Sequence, residues 1–268
     1  MVREMKNKIA IIGCGNIGIS LFKGFVKEQK FSASAITLTR RNTEELSFLK
    51  ETGVKITSDN KKAVSDAEII IIAVKPYNIL SVLDEIKPVL ISGKHIIVSV
   101  TAGITLKEIQ DHLKVKVPVF RAMPNISASV AHSVSLISSG SVRKTDTEKV
   151  IQIFNMLGTT MIIDEELMQS ATILGACGVA YVLRFIRAMI QGGIQIGFDA
   201  RTASEIVTRT VKGAAELLIE SQTHPEAEID KVTTPKGCTI VGLNEMEHNG
   251  FSSSLIKGIV ASYEKIEK

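Results

Sequence analysis

From Lys8 to Ile163 short apolar runs alternate with amphipathic stretches. The runs are Lys8 to Ile12, Ile36 to Thr39, Ile69 to Val74, His95 to Val100 and Val117 to Phe120. The third, "IIIIAV", is continuous and largely β-branched, as expected of a parallel strand covered on both faces. Between the runs the apolar spacing becomes helical. Leu21, Phe22, Phe25 and Val26 share one face of a helix starting near Asn16, and Ile79, Leu80, Leu83 and Ile86 mark another. Strand–helix alternation at this pace predicts a doubly wound parallel sheet. Val134 to Ser138 and Thr160 to Ile163 read as two last strands. Thr145 and Glu148 predict a capping box for the helix between them. After Asp164 the pattern is helical to the C-terminus, broken near Gly197, His224 and Pro235. The expected division is therefore an α/β domain over residues 1–163 and an all-helical domain over residues 164–268. Gly192, Gly193, Ala214 and Ala215 permit close helix packing. Helices this apolar bury a face against another subunit or within a monomeric bundle.

Composition narrows the class. The chain has 268 residues, 45% hydrophobic and 22% charged, with net charge +4, which is ordinary for a globular protein. No block of like charge appears, aromatics make up 4% and tryptophan is absent. A nucleic-acid surface is not expected. The cysteines Cys14, Cys177 and Cys238 are odd in number and lack zinc-site spacing, so no metal is expected and a reducing, cytoplasmic setting fits best. Met1 to Lys8 is charged and runs into a short apolar run that ends in glycines, unlike a signal peptide. The longest apolar stretch, Ala171 to Leu183, is too short to span a bilayer. The five histidines, His95, His112, His132, His224 and His248, are scattered and read as surface or packing residues.

The chemistry begins at "IAIIGCGNIGIS". Gly13, Gly15 and Gly18 form G-x-G-x-x-G between a strand and a helix, the context that a dinucleotide fingerprint requires. The first glycine permits the turn, the second lets a pyrophosphate approach, and the third packs helix on strand. An NAD enzyme places an acid at the end of the second strand. Here stand Thr39, Arg40, Arg41 and Asn42. Two guanidinium groups suit a 2′-phosphate, so NADPH is preferred and NADH is the alternative. Three loops, Ala73 to Asn78, Val100 to Ile104 and Arg121 to Ile126, follow strands at the edge where open α/β sheets bind ligands.

Read with "AVKP", "AGI", "RAMPN", "GVAY" and "VTTPKGCTIVGLNEMEHNGF", the chain resembles the Δ1-pyrroline-5-carboxylate reductases nearly end to end. The resemblance implies a Rossmann-like N-terminal domain and a C-terminal helical dimerisation domain, in homodimers that assemble further in many members. It implies NAD(P)H-dependent reduction of a cyclic imine to L-proline, the last step of proline biosynthesis. Gly13, Gly15, Asn16, Ile17 and Gly18 would lie along the dinucleotide. Arg40 and Arg41 would approach its adenosine phosphate, with Asn60 as a further nucleotide contact. Ala73, Lys75 and Pro76 would line the nicotinamide half. Met123, Pro124 and Asn125 would shape the floor by the reacting ring, Met123 towards the substrate and Asn125 towards the cofactor. Thr234, Gly237, Cys238 and Thr239 would hold the substrate carboxylate, and Thr239, the candidate catalytic residue, would hydrogen-bond the ring nitrogen.

A protonated imine needs alignment more than acid–base help, which accounts for a loop with neither histidine nor carboxylate. Two departures from the family pattern stand out. Where members read S-G-S-G-P-A-Y, this chain reads Gly175, Ala176, Cys177, Gly178, Val179, Ala180, Tyr181. Where the signature loop has two glycines after its proline, this chain has Lys236 and Gly237. The rival readings are a non-catalytic or altered-specificity NADP-binding paralogue and a β-hydroxyacid dehydrogenase. The latter carries a lysine four residues after a glycine in its interdomain helix; counting from Gly178 gives Val182.

Overall fold

A computed structural model describes residues 8–27 and 31–266. The charged N-terminal run, apart from Lys8, lies outside the described residues. Two compact units emerge, one ending at Val179 and one beginning at Ala180.

The first unit is built on eight strands: β1 (Ile9–Ile12), β2 (Ile36–Thr39), β3 (Lys55–Thr57), β4 (Ile69–Ile72), β5 (Ile96–Ser99), β6 (Val119–Met123), β7 (Ser133–Ser139) and β8 (Gly158–Ile162). Their order in the sheet is β3-β2-β1-β4-β5-β6-β7-β8. The central strands alternate between two cores. Ile9, Ile11, Ile69 and Ile71 face one, which holds Phe22, Phe25 and Phe154. Ala10, Ile12, Ile70 and Ile72 face the other, with Ile79, Leu83 and Ile109. A strand apolar at every position is therefore buried on both faces, as helices covering a parallel sheet require.

The helices of this unit include α1 (Asn16–Val26), α2 (Asn60–Ser65), α3 (Ile79–Ile86), α4 (Leu106–Leu113), α5 (Lys144–Asn155) and the short α6 (Met168–Ala171), followed by a π-helical turn at Thr172–Cys177. Three details differ from the sequence reading. β7 runs antiparallel to β6, because the nine residues joining them cannot form a parallel crossover with its helix. β3 pairs with β2 at the edge; three residues carry too little periodicity to be recognised. The capping box expected at Thr145 and Glu148 does not form. Arg143 caps α5, and its guanidinium donates to both oxygens of buried Asp146 at 2.8 Å. The capping box stands instead at Thr105 and Glu108, opening α4.

The second unit contains α7 (Gly178–Gln195, which begins at the unit boundary), α8 (Ala200–Ser221), α9 (Pro225–Lys231), α10 (Cys238–His248) and α11 (Phe251–Ile266). Breaks fall where glycine, histidine and proline predicted them. Ties between its distant positions include Tyr181 Oη and Ser262 Oγ, 2.7 Å apart, and the Phe185 and Phe251 rings, 6.1 Å apart. Among its described residues only Ala203 and Val207 are buried. Leu217, Ile219, Val241 and Ile256 are more than half exposed. Where such side chains form a large contiguous patch, it commonly marks an interaction site. The helix running from Glu165 to Gln195 is also long and apolar enough to cross a membrane by length and composition, a length the uninterrupted apolar stretch at its centre did not reveal.

His95 gives this fold a pH-dependent element. It is 1% exposed, and its Nδ1 accepts the Ile91 N–H at 3.0 Å. Burial, aided by the Lys94 charge, lowers its pKa below the ordinary 6.5. The unfolded chain therefore takes up the proton first. The stabilisation is complete above 6.5 and is lost as pH falls below it. His95→Gln should give a shallower decline of Tm with acidification than the parent chain; parallel declines would assign the acid sensitivity to another group.

Candidate active site and dinucleotide turn

The glycine-rich turn is held from three sides. The β1 strand delivers Gly13 at φ +79, and a Cβ there would stand 2.2 Å from Val74 Cγ1. Glycine is required on both counts. Thr39, at the end of β2, accepts at its carbonyl from Gly13 N at 3.1 Å and Cys14 N at 2.7 Å, and its Oγ1 accepts from Gly13 N at 3.2 Å. Gly15 opens α1 with no side-chain cap and with open space at its Cβ position. Asn16 is exposed and Ile17 half-buried, and no acid lies in the first turn of α1. Gly18 sits against Cys14 Sγ and Ile11, packing the helix on its strand. Uncapped amides at a helix N-terminus, unobstructed and free of acid, fit a pyrophosphate.

The two arginines divide. Arg40 donates from Nη1 to the Cys14 carbonyl at 3.0 Å and pairs with Glu45, so it braces the turn. Arg41 is exposed beside it, with no acid at the end of β2. Asn60 opens α2 and donates to Glu85 Oε2 at 2.8 Å. Ala73 is buried, while Lys75 and Pro76 are exposed at the next loop. Met123 is packed with Leu136, Met168 and Ala171, and Pro124 is buried. Asn125 donates from Nδ2 to the Gly175 carbonyl at 2.8 Å.

Sequence reasoning overlooked Thr101 and the Arg121–Glu165 pair. Thr101 is 2% exposed and donates to the Val74 carbonyl at 3.1 Å, tying the 100–104 loop to the 73–78 loop. Arg121 Nη1 lies 2.8 Å from Glu165 Oε1, which also accepts the Leu106 N–H of α4 at 3.0 Å. An arginine within a strand that otherwise reads as core was the available signal.

The Thr-rich loop lies in the second unit. Thr234 and Gly237 close a turn through Gly237 N to Thr234 O at 2.9 Å, and a Cβ at Gly237 would stand 2.5 Å from Thr234 Oγ1. Gly237 then caps α10 with no side-chain acceptor. The first-turn amides of Cys238 and Thr239 are left for an anion. Thr239 is half-buried and Cys238 exposed. Among the described residues the Thr239 hydroxyl makes no side-chain hydrogen bond. The structure therefore brings Thr234, Gly237, Cys238 and Thr239 together at one helix start. No cluster of metal-ligating side chains exists among the described residues.

The fold and the turn define a dinucleotide-binding oxidoreductase. Residues 8–103 match the family "NADP oxidoreductase coenzyme F420-dependent", and residues 165–268 match "Pyrroline-5-carboxylate reductase dimerisation". Pyrroline-5-carboxylate reductase 2 of Dictyostelium discoideum is 43% identical over 99% of this chain and 94% of its own length. Pyrroline-5-carboxylate reductase 1 of the same organism is 44% identical over 97% of this chain, and this chain spans 49% of that protein's length. The crystal structure of Plasmodium falciparum pyrroline carboxylate reductase with NADP bound has TM-score 0.89, 27% identity, and coverage of 98% of each chain. The chain belongs to the pyrroline-5-carboxylate reductase family.

Lys236 adopts φ +61, where the family pattern has glycine. A left-handed non-glycine residue costs roughly 1–2 kcal/mol, offset in part by the greater freedom glycine gives the unfolded chain. Lys236→Gly should raise unfolding free energy by about 0.5–1 kcal/mol, measured by denaturant titration; a loss of stability would mean that the lysine side chain contributes more than its backbone strain removes. The thiols should also separate. Burial pushes Cys14 up to about 12, whereas Cys238 is exposed. A thiol reagent should label Cys238 in the native protein and spare Cys14, as read by peptide mass; labelling of Cys14 first would contradict the packed turn.

Proposed function

We propose that this protein reduces the C=N bond of 1-pyrroline-5-carboxylate to L-proline with NADPH. The observation that carries the reading is likeness over nearly the whole chain to a reductase named for this substrate. The glycine-rich turn suits the anchoring of a dinucleotide, and the uncapped start of α10 suits the anchoring of a substrate carboxylate. Bound NADPH supplies the hydride. The α1 amides at the turn from Gly13 to Gly18 would hold its pyrophosphate and exposed Arg41 its 2′-phosphate, while Arg40 holds the turn in shape. Ala73, Lys75, Pro76 and the residues around Met123 form the walls nearest the reacting ring. Asn60 is kept as a nucleotide contact that would exchange its bond to Glu85.

On the substrate side, the amides of Cys238 and Thr239 and the hydroxyl of Thr234 hold the carboxylate. Thr239 Oγ1 hydrogen-bonds the ring nitrogen and orients the imine. A pyrroline nitrogen is basic enough to be partly protonated near neutrality, so the chain contributes alignment to within about 3–3.5 Å rather than a dedicated acid. The boundary near residues 163 and 164 is supported by the dimerisation family match over residues 165–268, whereas the compact units divide later, between Val179 and Ala180. A homodimer through the helical unit would cover its exposed apolar side chains, and higher assemblies of such dimers are compatible with this arrangement. Three free cysteines support a reducing cytoplasm.

The decisive experiment mixes protein, NADPH and pyrroline-5-carboxylate, follows loss of NADPH and identifies proline. Proline no higher than in a protein-free control would reject the activity and favour a non-catalytic NADP-binding role. Thr239→Ala should lower kcat by about ten-fold to a hundred-fold, the scale of a lost hydrogen bond at a reacting group, with Kd for NADPH unchanged. Arg41→Ala should raise KM for NADPH by about ten-fold, as loss of a charge-assisted phosphate contact does, and leave KM for NADH alone.

A further inference from the structure

Asn125 was expected to touch the cofactor, yet its polar atoms are committed within the protein. It is 6% exposed. Nδ2 donates to the Gly175 carbonyl at 2.8 Å, and Oδ1 accepts from Ser127 N at 2.9 Å. Its backbone N–H donates to Ser133 Oγ at 3.0 Å. The side chain is thus a clamp between the end of β6 and the π-helical turn Thr172–Cys177. A π turn widens the helix and leaves its carbonyls imperfectly served by the helix itself. A donor from outside stabilises that geometry.

Both ends of the clamp are closely fitted. A Cβ on Gly175 would lie 3.1 Å from Leu136 Cδ1, so the turn rests directly on β7. The 126–130 turn that follows Asn125 runs along α1, where a Cβ on Gly24 would stand 2.2 Å from the Ala128 carbonyl. A continuous path therefore joins the pyrophosphate helix α1, the Ile126–Val130 turn, Asn125 and the π turn. This is also the segment in which Gly175 and Cys177 depart from the family pattern S-G-S-G-P-A-Y.

We propose that Asn125 is a positioning residue: the N–H it donates to Gly175 locks the π turn to the floor beside the reacting ring. This rests on the reductase reading above. A floor that slips by a fraction of an ångström lets the ground-state complex form but spoils hydride alignment, so the effect falls on kcat rather than KM.

Asn125→Asp tests the donor with almost no change of shape. An ionised aspartate keeps the acceptor for Ser127 N–H but sets an anion against the Gly175 carbonyl. Burial and that carbonyl raise its pKa, and once protonated it can donate again. Ionisable groups on the elements around it are Lys23 and Lys27 of α1 and its C-cap, Lys27 donating to the Val130 carbonyl at 2.7 Å, His132 before β7, Arg121 on β6 with its partner Glu165, and Cys177 in the π turn. They are shared by the parent chain, so the ratio of variant to parent removes their titration. At alkaline pH the variant should lose about ten-fold or more in kcat, the cost of an unmade buried hydrogen bond, while KM for NADPH changes by less than about three-fold. Hydrogen-exchange protection across residues 172–180 should fall with it. Both should recover as pH is lowered, whereas Asn125→Ala should stay impaired at every pH. A variant-to-parent ratio flat with pH, a variant equal to the parent at alkaline pH, or a loss confined to KM for NADPH would overturn the lock. If the parent chain fails to reduce the imine, the reductase reading falls, and the exchange profile still decides the lock.

Discussion

The close approach of the β1–α1 turn to β4 governs the first unit. Gly13 leaves no room for a side chain against Val74, and Thr39 fastens the same backbone from β2. Three neighbouring strands thus meet at one turn, and their register is fixed there. Everything that faces a dinucleotide follows from it: the direction of α1, the freedom of its first amides, and the placement of Arg40 and Arg41. Because the sheet is buried on both faces, a shift of this turn would have to be absorbed by two close-packed cores.

Much of this was legible in the residues. Continuous apolar runs such as "IIIIAV" signalled strands covered twice, and the glycine spacing placed the ligand turn. Helix breaks at Gly197, His224 and Pro235 were readable because those residues act through local backbone geometry. Other features depend on contacts between distant positions and were not readable. The reversal of β7 is set by a short connection that binds itself through Asn125 and Ser133. The N-cap of α5 belongs to Arg143 because Asp146 is buried beneath it, which no local motif announces.

The candidate site divides in the same way. Residue types showed the chemistry, yet partners decided the work. Arg40 and Asn60 look alike in sequence, as polar groups near a nucleotide, and both are already engaged inside the unit. Arg41 is the guanidinium left facing solvent. Thr101 looked like one more residue in a loop, while its burial makes it the link between two loops. In the second unit the glycine at 237 was legible as a turn, but the left-handed backbone at Lys236 was not, since lysine carries no preference for it.

The helical unit has a consequence of another kind. With two buried residues among those described, it does not gain enough from its own burial to offset the entropy of ordering five helices. Under the proposed dimer, folding of this unit and association of two chains become one equilibrium. Its stability is then a function of how much protein is present. Expression level itself would set the fraction of folded, active reductase, and a cell could tune the activity through abundance more steeply than in simple proportion.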